Sequence, residues 1–61
     1  MKLTKRQTEI IKLVAQGCGD KEIAGKLALS CRTISVHVAG AIKRLKARSR
    51  SHAVAIFVRK M

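Results

Sequence analysis

Apolar residues fall along the chain in four clusters at helical spacing, each preceded by a short polar side chain suited to opening a helix. Thr4 with Gln7 three residues later has the form of a capping box, and Ile10, Ile11 and Val14 recur behind it before Gly17, a natural left-handed stop. These features predict a first helix from about Lys5 to Gln16. Asp20 is placed to cap a short second helix ending near Ala28, with Ile23, Ala24 and Leu27 on one face. Ser30 is a good N-cap for a third helix, so a turn of only three or four residues separates it from the second. Ile34, Val38, Ala41, Ile42 and Leu45 then form an i, i+4, i+7, i+8, i+11 stripe that carries the third helix, the longest, to about Lys46. Ser49 can cap a last helix with Ala53, Val54 and Phe57 on its apolar face and a basic tail, Arg59 and Lys60. No repeat, linker or low-complexity segment interrupts the pattern.

Composition agrees with an all-α fold. Pro, Trp and Tyr are absent and there is one Phe, which gives little support to an aromatic-rich sheet, while Ala, Ile, Leu and Val are abundant. Sixty-one residues make a single domain, 1–61, near the lower size at which one core holds a fold without disulfides or metal. The two cysteines, Cys18 and Cys31, do not make a disulfide framework, and the expectation is of small, semi-buried, reduced side chains. Cys18, Cys31, His37 and His52 contain no close ligand pair of the kind zinc sites use, so no metal or other cofactor is expected.

Charge narrows the partner. The formal net charge is +11, and the three acids, Glu9, Asp20 and Glu22, all precede Ile23. Beyond it come Lys26, Arg32, Lys43, Arg44, Lys46, Arg48, Arg50, Arg59 and Lys60 with no acid between them. So one-sided a positive field implies a polyanion, either nucleic acid or an anionic membrane. The apolar run from Ala53 to Val58 is far too short to cross a bilayer and no signal-peptide pattern opens the chain, so a cytoplasmic location is expected. An enzyme is not expected: the chain is too short to enclose a pocket and offers no set of nucleophile, base and orienting group.

Two helices joined by a very short turn, the second long and basic, have the geometry that seats one helix in the major groove of DNA and braces it with the other. Ala24 is small where the two would cross, Leu29 plugs the turn, and Ile34 anchors the second helix. Leu3-Thr4 with Arg6 and Glu9, Ala15-Gln16-Gly17, Lys21-Glu22-Ile23-Ala24, Leu27, Ser30, Thr33-Ile34, His37, Leu45, and Arg48-Ser49-Arg50 with Ala53-Val54 together resemble the four-helix LuxR/GerE-type helix-turn-helix domain, from about Leu3 to Val58. The resemblance implies a DNA-binding domain of a bacterial transcription regulator. It also implies pairing of two copies through the fourth helix, where the apolar face of Ala53, Val54 and Phe57 is the expected interface; RNA polymerase is a candidate further partner, and a domain this small has no room for a small-molecule ligand.

Several positions depart from that family's pattern. The family commonly has Gly at Ala28 and at Lys46, and if those backbones have positive φ each replacement costs on the order of 1 kcal/mol. Gly40 inside the third helix costs up to about 1 kcal/mol relative to Ala. His52 replaces the acid that would complete a capping box with Ser49. Ser35, Val36 and Ala39 stand where the resemblance implies base-facing positions, often Lys or Arg in the family at Ser35 and Ala39. Base reading from them would rest on a hydroxyl and on apolar contact with thymine methyls, giving modest or A·T-leaning specificity.

Phosphate contacts are expected from Thr33 near the start of the third helix, where free N–H groups also point outward, and from Arg32 in its first turn, where the helix dipole disfavours a cation unless an outside anion is present. Lys21 resembles the family's backbone-clamping lysine. Lys43, Arg44 and Lys46 extend along the third helix toward the groove walls, with Arg48 and Arg50 following. His37 is expected to be structural or to touch the DNA backbone. Two other readings compete: a promoter-binding module like region 4 of a sigma factor, and a cationic membrane-surface or protein-interaction module. The Thr33-Ile34 and His37 spacing favours the LuxR/GerE type over the first, and the four separately capped helices favour a packed domain over the second.

Overall fold

The computed structural model describes residues 3–59. It has four α-helices, α1 (Lys5–Ala15), α2 (Asp20–Leu27), α3 (Cys31–Arg44) and α4 (Arg50–Arg59), and no strand among the described residues. Lys60, the end of the expected basic tail, lies outside them.

The local signals at the helix starts act largely as their chemistry requires. Thr4 Oγ1 accepts from the Gln7 backbone N–H at 3.1 Å while Gln7 Oε1 accepts from the Thr4 N–H at 3.0 Å, a complete capping box. Ser30 Oγ accepts from the Thr33 N–H at 3.1 Å, and Ser49 Oγ from the His52 N–H at 3.2 Å. The imidazole of His52 takes the place of the missing acid in its own way: its Nδ1 accepts from the backbone N–H of Arg48 at 3.0 Å. Asp20, by contrast, is not the cap of α2. Gly19 holds that place without a side-chain bond and Asp20 is the first helical residue, because its carboxylate is drawn to a partner on α4.

Three helices end in the same manner. An N–H beyond the helix reaches back five residues to a carbonyl in the last turn, Cys18 to Leu13 at 3.1 Å, Leu29 to Ala24 at 2.9 Å and Ala47 to Ile42 at 3.0 Å. Each such closure needs a left-handed residue just before the donor. These are Gly17 (φ 93°), Ala28 (φ 56°) and Lys46 (φ 55°). Two of the three stops thus carry a Cβ in a region that favours glycine, as the family comparison of Ala28 and Lys46 anticipated. The third helix accordingly stops at Arg44 rather than near Lys46.

Ile10, Ile23, Ala24, Ile34 and Val38 form the core, with Leu13, Val14, Cys18, Leu27, Leu29 and Ile42 packed around it. Ile11 on α1, Ala41 on α3 and Ala53 on α4 are also completely buried, and α4 packs on α1 and α3. Cys18 is half-buried as expected, but Cys31, the first residue of α3, is exposed. Where α1 meets α3, the buried Gln7 lies over Gly40. A Cβ there would stand 2.7 Å from Gln7 Nε2. Gly40 is therefore a packing requirement and not only a weak helix former: the amide whose oxygen caps α1 occupies the space a side chain would need.

Candidate nucleic-acid interface

Helix α2 is braced against α3 by Ile23, Ala24 and Ile34, and residues 28–30 join the two. Leu29, half-buried in this turn, packs against the core while its N–H closes α2. One face of α3 is thereby committed inward through Ile34, Val38 and Ala41. The opposite face is exposed along Arg32, Ser35, Val36, Ala39 and Lys43. At about 100° per residue these five fall within a stripe roughly 100° wide, and Arg32 and Lys43 stand about 16 Å apart along the axis. The stripe has a cation at each end and small uncharged side chains between. Val36, a large apolar side chain, is 64% exposed. Water gains nothing from that exposure, whereas an apolar contact in a groove would bury it.

Lys21 is exposed in the first turn of α2, and Lys46 is exposed in the left-handed stop after α3. Arg44 is exposed too, but it lies about 100° round the helix from Lys43, off the stripe, and interacts within the chain. Thr33 is half-buried, and its hydroxyl lies 2.9 Å from that of Ser30 in an exposed pair. Ser30 Oγ already accepts the Thr33 N–H. Whichever hydroxyl donates to the other, one hydroxyl proton of the pair is left to donate outward, so the N-terminus of α3 keeps a neutral donor beside its free N–H groups. His37 is half-buried and, like Arg44, lies off the stripe, about 100° round the helix from Val36.

Two expectations are revised. Arg50 does not extend the row of exposed cations: its guanidinium grips Asp20 with Nη1 at 2.6 Å from Oδ1 and Nη2 at 3.2 Å from Oδ2. This fork holds the Asp20 carboxyl below its ordinary value of 3.8, chiefly by donating hydrogen bonds to it, and in turn raises the pKa of Arg50. Ala53 is completely buried and so is closed to a second copy of the folded chain, since it occupies the inward face of α4 against α1 and α3. Val54, Ile56 and Phe57 are half-buried, and Val58, which the sequence reading did not single out, is 52% exposed. The unbroken apolar run from Ala53 to Val58 hides which side faces inward, so periodicity could not have made this distinction. The Asp20–Arg50 pair spans 30 positions and leaves no local signal either.

No helix is long and apolar enough to cross a membrane among the described residues. Residues 1–57 match the family of bacterial regulatory proteins of the luxR type, known as GerE. The chain is 38% identical over 58 residues to the oxygen regulatory protein NreC of Staphylococcus carnosus (strain TM300), covering 95% of this chain and 27% of that protein. It is 43% identical over 51 residues to the nitrate/nitrite response regulator protein NarL of Escherichia coli (strain K12), covering 84% of this chain and 24% of NarL. With the spore germination protein GerE of Bacillus subtilis (strain 168) it shares 39% identity over 57 residues, 93% of this chain and 77% of GerE. The chain thus spans about a quarter of the length of NreC and NarL and most of that of GerE. With four helices, a tight turn between α2 and α3 and a family match over nearly its whole length, the chain belongs to the luxR family of bacterial regulatory proteins, which are DNA-binding transcription regulators.

Proposed function

We propose that this chain binds double-stranded DNA with α3 in the major groove, as the DNA-binding domain of a transcription regulator. The observation that carries the reading is the outward stripe of α3, with Arg32 and Lys43 at its ends and Ser35, Val36 and Ala39 between them. The cations reach the phosphates on either side, and the small centre lets the helix approach the base edges closely. Lys21 and Lys46 add phosphate contacts from the ends of α2 and α3, and the Ser30–Thr33 pair donates to a further phosphate. Specificity comes from the Ser35 hydroxyl and from contact of Val36 and Ala39 with thymine methyls. Two copies pair on an inverted-repeat site through α4, using Val54, Phe57 and Val58 while Ala53 stays in the core.

Duplex selection from random sequence followed by titration over a range of salt tests this. Four cationic phosphate contacts per protomer, from Lys21, Arg32, Lys43 and Lys46, give a log–log slope of about −3.5. Replacing thymine by uracil at the contacted positions of the selected site lowers affinity by about 1 kcal/mol per base. Binding indifferent to salt rejects the phosphate set, and affinity unchanged by uracil at every position rejects apolar reading by Val36 and Ala39.

A further inference from the structure

The chain has three acids, and one of them opens the helix that the proposed function points at a phosphate. Asp20 is the first residue of α2 and the immediate neighbour of Lys21. In a helix-turn-helix the first of the two helices lies across the DNA backbone. A carboxylate at its N-terminus is favourable to the isolated helix, through the dipole, and repulsive to DNA. The structure answers this conflict from elsewhere. Helices α2 and α4 do not pack backbone to backbone among the described residues, yet Arg50 of α4 crosses the gap and closes a two-pronged ion pair on both carboxylate oxygens. Glu9, which lies on α1, is met by its own near neighbour Arg6 at 3.3 Å. Glu22, the third acid, is exposed in the same turn of α2 about 160° round the helix from Asp20, and it is Asp20 that is met by an arginine 30 positions away.

Resting on the DNA-binding reading above, we infer that Arg50 is a positioning residue for DNA binding that acts through Asp20: it neutralises the Asp20 carboxylate, one of two in the first turn of α2, and fixes that end of the helix relative to α4. Two of the guanidinium N–H groups of Arg50 are held by Asp20, so on this inference its charge acts on DNA through that carboxylate and not as a free phosphate-seeking cation. The two members of the pair therefore have opposite effects on binding when separated. Loss of Arg50 exposes an acid beside Lys21, while loss of the acid removes the need for Arg50.

The test is a rescue experiment with the whole chain and a random-sequence duplex of about 25 base pairs at low salt, where phosphate contacts dominate. Arg50→Ala is expected to weaken binding about tenfold, and Asp20→Asn in the same chain to recover at least threefold of that loss. Thermal unfolding is followed on the same samples, since a merely structural role moves differently. With Arg50 gone, Asp20→Asn removes a carboxylate that favours the first turn of α2, so it does not raise the melting temperature while it tightens DNA binding. Should Arg50→Ala melt near the assay temperature, Arg50→Gln replaces it, keeping a donor to Asp20 without the charge. A double variant that binds no more than threefold tighter than the single one overturns the inference, as does a rescue of affinity matched by a rise in melting temperature. If the wild-type chain binds no duplex, the DNA-binding reading falls and this inference with it. If it binds and the rescue is absent, only the inference falls.

Discussion

Replacing Ala28 by glycine is expected to stabilise the protein, and its magnitude follows from one backbone angle. Ala28 ends α2 with φ 56° and ψ 42°, in the left-handed region. For a residue with a Cβ this conformation costs roughly 1–2 kcal/mol, because the Cβ crowds the following carbonyl oxygen. Ala28 is exposed, so deleting its methyl removes little packing. Its N–H and that of Leu29 both bond to the carbonyl of Ala24, and glycine keeps both bonds. Against the relief stands the greater freedom of glycine in the unfolded chain, about 0.4–1 kcal/mol. The difference lies between about 0 and 1.6 kcal/mol and centres near 0.8 kcal/mol, which in a domain of this size raises Tm by roughly 3–6 °C. Gly17→Ala is the control of opposite sign: its φ is 93° and a Cβ there meets nothing within 4 Å, so strain alone lowers Tm. Thermal unfolding followed by far-ultraviolet circular dichroism reads both. An Ala28→Gly variant that melts at or below the wild-type temperature would refute the reasoning, since the strain would then not be felt in the folded state.

Two further outcomes follow from contacts between distant parts of the chain. Gly40→Ala is expected to leave Tm unchanged or lower in the wild-type chain, despite a helix preference worth up to about 1 kcal/mol, because the new Cβ displaces the Gln7 amide that caps α1. In a Gln7→Ala chain the same change raises stability by about that amount, and equal effects in both backgrounds in a double-mutant cycle would remove Gln7 as the cause. The Asp20 carboxyl binds its proton less tightly in the folded chain than in the unfolded one, so its contribution is complete above the ordinary value of 3.8 and is lost as pH falls through the lowered folded value. The stability difference between wild type and Asp20→Asn measured by denaturant titration therefore shrinks as pH falls through that acidic window, and a difference that is constant down to the most acidic pH at which the chain folds would contradict the pairing.

The sequence by itself determined what is settled within a few residues. The Thr4–Gln7 capping box, the Ser30 and Ser49 caps, the Gly17 stop and the Ile34–Val38–Ala41 stripe are local chemistry, read from residues three to eight positions apart. Ser35, Val36 and Ala39 are picked out by the family resemblance and Arg32 and Lys43 by their charge on the same helix; that these five share one exposed face is seen in the structure. Tertiary structure decided the rest, because a side chain with several compatible roles takes the one its distant neighbours allow. Asp20 has the chemistry of a cap, but Arg50 offers its carboxylate a charged, two-pronged partner, and the cap passes to Gly19. Gly40 looks like a weakness in a helix until Gln7, 33 positions earlier, is found in the space above it. In α4 the six apolar residues from Ala53 to Val58 surround the helix too completely for periodicity to choose a buried side; packing on α1 and α3 chooses Ala53 and leaves Val58 in water.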